Sequence, residues 1–451
     1  MNGFRWILAV ALLVCSLAYS QTVTTAAGSA TITLSPQTRF QTINGWEAVA
    51  QAGQIDSPAF SIYKNSLYDQ AVNDLGINRL RVEIKSKVVN GDFDFTAFDK
   101  DMDLVTVPIK QRVEANGEKL WVNVTVVGDH LENNPTKYGQ QVLATYQHMR
   151  TKYGFVPDSW EVALEPANFG WGSAAQVSNA MIAASNQLKA NGFATYFVVP
   201  SSECGVSTAI AYFNSMLQVS GTQPLVNEFA YHRYCWPSDQ DLQNVANIGN
   251  QYGIKTAMLE HIASDYNDLH KDLKLANISA WEQFTLAYPT GDDGAQYYWI
   301  DDSNPNSPIV TMGSRTKLLR QYFKFIRAGA VRINATTTNT SFDPVAFINA
   351  NGKYVVVVKT TTDGAITIAG LPAGTYGIKY TTGSQYDINL NDKVISAGQS
   401  VSTSIPAPGV ITIYAKAAGA TPTNTPTRTA TPTRTPIPGL PRSVFLPSVT
   451  R

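Results

Sequence analysis

The chain has 451 residues, of which 44% are apolar and only 15% charged, against the roughly 25% charged that is usual for soluble domains. Its 34 basic side chains balance its 34 acidic ones. That neutrality removes the electrostatic basis for binding nucleic acid or anionic lipid and points instead to a neutral polymer or a small neutral molecule.

Residues 1–20, MNGFRWILAVALLVCSLAYS, place Arg5 before an apolar run that ends in small residues at Ala18 and Ser20. This reads as a secretory signal peptide, too short to anchor in a bilayer, and implies a secreted, extracellular protein. Without it the chain keeps Cys204 and Cys235, which allow one intrachain disulfide in an oxidising compartment. Residues 21–39 contain ATITLS, read as an N-terminal strand that joins a later β-domain.

Between residues 40 and 334 short apolar runs alternate with helical patterns. The strands drawn are QTINGWEA, INRLRVEI, KLWVNVTVV, SWEVALE, TYFVVPS, LVNEFAYHRY, IKTAMLE and AQYYWID. TKYGQQVLATYQHMRTKYG and SAAQVSNAMIAASNQLKANG carry apolar residues at three- and four-residue spacing and end near glycine, as amphipathic helices do. Eight strands alternating with helices predict an α/β fold, a (β/α)8 TIM barrel. No GxGxxG turn supports an open doubly wound sheet. Residues 335–416 change character. VAFINANGKYVVVVK is a hairpin pattern with Asn351-Gly352 at its turn, and AITIAG, TYGIKYT and GVITIYAK follow without helices. They predict a C-terminal β-sandwich-like domain. Residues 417–451 form a Thr/Pro-rich linker with a short tail, SVFLPSVTR, which would be a route to cell-surface association if it acts as a sorting tag.

A (β/α)8 barrel carries its active site at the C-terminal ends of its strands. Polar residues placed there by the drawn strands are Glu47, Arg81, Glu83, Asn123, Glu165, Glu203, His232, Tyr234, Glu260 and Asp301. Paired carboxyls at one mouth suit glycoside hydrolysis, in which one protonated group donates to the leaving oxygen and one ionised group attacks or activates water. Trp46, Trp121, Trp171, Trp236 and Trp299 fall at or just beyond strand ends, where aromatic faces stack on sugar rings. Asn227-Glu228 begins the sixth drawn strand and is read as structural. No HExxH, close histidine pair, nucleophile elbow or Walker sequence is present, so neither a metal nor an organic cofactor is expected.

These segments resemble those of clan A glycoside hydrolases. SWEVALEPAN is similar to the clan's strand-four segment, in which the Glu before Pro is the acid/base. AMLEHI resembles the strand-seven nucleophile segment, and the interval of 95 residues between Glu165 and Glu260 suits three βα units. FAYHRY and LGINRLRV resemble the segments carrying an active-site His or Tyr and an Arg. QTINGW, and FIRAGAVRI followed by a β-domain, are most similar to glycoside hydrolase family 30. The resemblance implies Glu165 as acid/base and Glu260 as nucleophile. It implies support from Arg81, His232 and Tyr234, and Asn123, Trp46 and Trp299 are added as substrate-binding candidates. The sequence departs at Leu164, where the clan has an Asn that holds the sugar 2-hydroxyl. An apolar neighbour there is expected to raise the pKa of Glu165, and Asn123 or Asn168 is expected to replace the missing donor.

The expected activity is that of a secreted retaining β-glycosidase or endo-β-glycanase acting on β-linked oligosaccharide or polysaccharide through a glycosyl-enzyme intermediate. The protein is expected to act as a monomer without a membrane span. The alternative is a non-catalytic carbohydrate-binding protein on a degenerate barrel.

Overall fold

The computed structural model describes residues 28–84, 87–89, 92–127, 131, 134–200, 205–289 and 291–416. The signal segment, Glu203, Cys204 and the Thr/Pro-rich tail lie outside the described residues. Eight parallel strands close on one another. In order they are Gly45–Ala52, Arg79–Ile84, Trp121–Val126, Ser159–Glu161, Phe197–Val199, Val226–Tyr231, Lys255–Met258 and Ala280–Tyr288. Closure rests on the eighth strand, which pairs with the seventh at Ala257↔Ala280 and with the first at Trp281↔Trp46 and Glu282↔Glu47.

Seven barrel strands coincide with drawn segments, but the eighth does not. AQYYWID, drawn as the last barrel strand, forms Gln296–Asp301, an accessory strand lying outside the barrel alongside Ala280–Tyr288, with Ile309–Met312 antiparallel to it. The true eighth strand, AWEQFTLAY, carries Glu282 and Gln283 at its centre, both fully buried. Two adjacent polar residues break the apolar signature by which buried strands are recognised.

The flanking helices begin and end as their sequences dictate. Pro135–Tyr153 starts with Asn134 capping the Lys137 amide and Pro135 at its first position, and it stops at Gly154 with φ 78°. Ala174–Ala190 opens on a capping box between Ser173 and Gln176. Such caps satisfy amides that the first helical turn leaves unbonded. Among the described residues no helix is long and apolar enough to cross a membrane.

The second body is a nine-stranded sheet packed into a β-sandwich around its own core, which includes Ile32, Phe342, Val356, Ile366, Ile378 and Ile413. The hairpin Phe342–Ile348 and Tyr354–Thr360 turns at Gly352, whose φ of 78° suits a residue without Cβ. The strand Gly28–Thr42 belongs to this sheet, between Val331–Thr337 and Gly364–Ala369.

Candidate active site

Alternation along the fourth strand sets up the position of Glu165. Trp160 points outward, donating its indole N–H to the Tyr138 hydroxyl at 2.8 Å, and Tyr138 in turn donates to the Val162 carbonyl. Ser159 and Glu161 face the barrel axis, where both bond to Asn123. Strand pairing ends at Glu161; Val162, Ala163 and Leu164 continue buried, and Glu165 emerges with φ 41°. A left-handed conformation is costly for a non-glycine residue, and such strain persists where the surroundings hold a functional geometry. The Glu165 carbonyl accepts the amides of Asn168 and Phe169 at 2.8 and 3.1 Å, turning the chain directly after it.

The Glu165 carboxylate is gripped on both oxygens. His232 Nδ1 donates to Oε1 at 2.9 Å and Asn168 Nδ2 to Oε2 at 2.6 Å. Burial of Glu165 works to raise its pKa, but these two hydrogen bonds and the charges of His232 and Arg81 outweigh it and hold the group below the usual carboxylate range. The expected upward shift from Leu164 is therefore corrected: donors to the ionised form win over the apolar neighbour.

Glu260 follows the seventh strand by two residues. Arg81 Nη2 donates to its Oε2 at 2.6 Å and the Tyr234 hydroxyl to its Oε1 at 3.1 Å. Arg81 Nη1 also holds the Leu259 carbonyl at 2.9 Å, so one guanidinium fixes the backbone and the side chain of this turn. On the sixth-strand side, Arg233 bonds Asp272 at 2.5 Å and Asp268 at 2.8 Å, pinning the segment that presents His232 and Tyr234. Glu165, His232 and Glu260 each bring one donor atom within 4.8 Å of the others. The structure thus brings together Glu165, Glu260, Arg81, His232 and Tyr234.

It does not bring the other three candidates to them. Trp46, the second residue of its strand, is fully buried; it donates to the Ile326 carbonyl at 2.6 Å and stacks on Phe323 with ring centroids 4.5 Å apart. Trp299 sits on the accessory strand, one strand outside the closed barrel, opposite Thr311. Asn123 lies inside the barrel beneath the mouth, with Nδ2 donating to Glu47 at 3.1 Å and to Glu161 at 3.2 Å and Oδ1 accepting from Ser159 at 2.8 Å. Its amide is consumed there and cannot stand in for the Asn absent at position 164. Asp301 accepts from Ser303 on the accessory strand.

Beneath the mouth the barrel is filled by charge. Arg79 forms a two-pronged contact with Glu228 at 2.8 and 3.2 Å and an ion pair with Glu47. Glu228 is thereby structural, as its place at the start of the sixth strand implied. Arg81 reaches down to Glu282 at 3.2 Å. Two guanidinium groups face the four carboxyls of Glu47, Glu161, Glu228 and Glu282, all fully buried. Burial pushes Glu161 up to about 7 despite Arg81, and raises Glu47 and Glu282 as well. Sequence reasoning missed Glu161 and Glu282. The first was legible from the two-residue alternation of SWEVALE; the second fell in the unrecognised strand.

Comparisons with known proteins bear on the fold that carries this site. Residues 329–413 match the family model of the glycosyl hydrolase family 30 beta sandwich domain. A family 30 endoxylanase from Clostridium papyrosolvens superposes with a TM-score of 0.65 at 16% identity, covering 86% of this chain and 100% of its own. The catalytic domain of xylanase C from Talaromyces cellulolyticus gives 0.67 at 16% identity, with 86% and 100% covered. An endo-β-1,6-glucanase gives 0.64 at 15% identity, with 85% and 94% covered. At these identities the likeness carries the fold, a barrel joined to a β-sandwich. No curated protein matches the chain in sequence.

Proposed function

We propose that this chain is a retaining glycoside hydrolase acting on β-linked glycans. The observation that carries the reading is the meeting of Glu165 and Glu260 at the barrel mouth, each fixed by two side-chain donors, with one oxygen of each within 4.8 Å. Retaining enzymes hold their carboxyls about 5–5.5 Å apart and inverting enzymes about 6.5–9.5 Å, the wider gap leaving room for water. A nearest-oxygen approach within 4.8 Å is compatible with direct attack.

In this mechanism Glu260 attacks the anomeric carbon, oriented by Arg81 and Tyr234. Glu165, whose ionised form His232 and Asn168 favour, must first take up a proton, and it then donates that proton to the leaving oxygen. It then takes a proton from the water that releases the sugar from Glu260. His232 suits this double role, because its Nδ1 stabilises Glu165 as the carboxylate between proton transfers. Two intact, hydrogen-bonded carboxylates argue against a degenerate, purely binding barrel. Xylan and β-1,6-glucan, the substrates named for the structural neighbours, are the first to assay. The signal-like segment of residues 1–20 makes export part of the proposal.

The test is turnover of these glycans with proton NMR of the first-formed anomer. The expected result is release of the β-anomer and loss of turnover in Glu260→Gln, with an unchanged circular dichroism spectrum. First-formed α-anomer, or wild-type rates in Glu260→Gln, overturns the assignment.

A further inference from the structure

The segment leaving the sixth strand ends in an unusual surface residue. Trp236 is 89% exposed, more than any other large apolar side chain among the described residues. An indole carries a large flat apolar face, and one this exposed is open to stack against another ring.

The backbone around it is held in a demanding shape. Cys235 and Trp236 are consecutive non-glycine residues with φ of 66° and 51°. Cys235 is disulfide-bonded. The turn also seats closely on Gly205, where an added Cβ would come within 3.2 Å of Cys235 Cβ. A strained turn tethered in this way presents its side chain with little freedom to lose on binding.

Its position is continuous with the candidate active site. The Trp236 ring meets His261 edge-on at 6.4 Å, and His261 meets Tyr234 at 5.1 Å. Tyr234 in turn bonds the Glu260 carboxylate. The indole therefore stands to one side of the carboxyl pair, two aromatic rings removed from Glu260, and not within the pair.

We infer that Trp236 is a stacking platform for a sugar ring of the substrate other than the one attacked by Glu260. This rests on the glycosidase reading and deepens it: the ligand is an oligomeric or polymeric glycan whose neighbouring pyranose lays its apolar C–H face on the indole. A single-ring glycoside would leave the platform empty.

The experiment uses the Glu260→Gln protein, so that binding is read without turnover. Xylohexaose and a β-1,6-linked glucohexaose are titrated by calorimetry into this parent and into its Trp236→Ala and Trp236→Tyr derivatives, with tryptophan fluorescence followed in parallel. The expected result is at least tenfold weaker binding for Trp236→Ala, recovery to within about threefold in Trp236→Tyr, and a binding-induced fluorescence change that both substitutions diminish. Equal affinity of parent and Trp236→Ala overturns the platform and leaves the glycosidase reading intact. Equal weakening in both derivatives overturns it as well, because the indole would then act by supporting the turn. A parent that sediments as a dimer while Trp236→Ala is monomeric assigns the indole to a contact between copies. Failure of both hexasaccharides to bind the parent overturns the platform, while the turnover assay decides the glycosidase reading separately.

Discussion

Replacing Arg81 by lysine tests how the nucleophile is held. Arg81 is fully buried and makes three contacts through two terminal nitrogens: the Leu259 carbonyl at 2.9 Å, Glu260 at 2.6 Å and Glu282 at 3.2 Å. Lysine keeps the charge but offers one ammonium on a differently shaped stem, so it cannot reproduce the fork. The charge-assisted bond to Glu260 is worth about 1.5–3 kcal/mol, which corresponds to roughly 10- to 150-fold in rate at about 1.4 kcal/mol per decade. The effect should be uneven between the two steps. When the sugar departs, Glu260 regains its negative charge, and Arg81 is the group placed to receive it. Arg81→Lys should therefore lower kcat by one to two decades and accumulate glycosyl-enzyme from an aryl glycoside with a good leaving group, seen as a burst of released phenol. Arg81→Met should be worse in another way, because it leaves buried acids without their cation, a loss of about 3–5 kcal/mol in stability. Wild-type kcat without a burst in a correctly folded Arg81→Lys protein refutes this account of Glu260.

His232→Ala removes the first of the donors that depress the Glu165 pKa; the acid then keeps its proton to higher pH, and the basic limb of the kcat/KM profile should move upward. An unmoved limb would separate His232 from the acid. Glu161, raised from 4.5 to about 7, holds a proton in the folded state that the unfolded chain has released, so its contribution makes stability fall as pH rises between about 4.5 and 7. Glu161→Gln should flatten that part of the Tm–pH curve and be relatively more stable at pH 8 than at pH 5. With Asn123 committed below the mouth, Asn168 is the remaining replacement donor near Leu164: Asn168→Ala should lose at least tenfold in kcat/KM, and Leu164→Asn should recover part of that loss in the double variant.

That Glu165, Glu260 and the side chains holding them come together could be read from the sequence because each is tied to a local signal: Glu165 to the proline after it, Glu260 to the end of a short apolar run, His232 and Tyr234 to alternate positions just past one strand. What the sequence did not convey is depth. Glu47, Arg81 and Asn123 all face the axis, yet only Arg81 spans from the interior to the mouth. Sequence position along a strand does not reveal this, because the register between neighbours is set by pairings such as Glu47↔Arg79 and Arg81↔Asn123. Trp46 was misplaced for a related reason. It adjoins an inward-facing residue and so faces out, into the helical layer. The eighth strand was hidden because it carries the acid Glu282 on its buried face, where Arg81, two strands away around the barrel, meets it.

The strand that precedes the barrel sits in the middle of the sandwich, antiparallel to one C-terminal strand and parallel to another. A fragment cut at the barrel exit would lose it and open two unpaired edges in the centre of the sheet, the condition that invites association with other chains. The sandwich is thus not a portable module, although its C-terminal segment is matched by a family model as one. Synthesis meets the same constraint in time: the first strand leaves the ribosome long before its neighbours exist. It must remain unpaired while the barrel is made, and the second domain closes only when the chain returns to its own beginning.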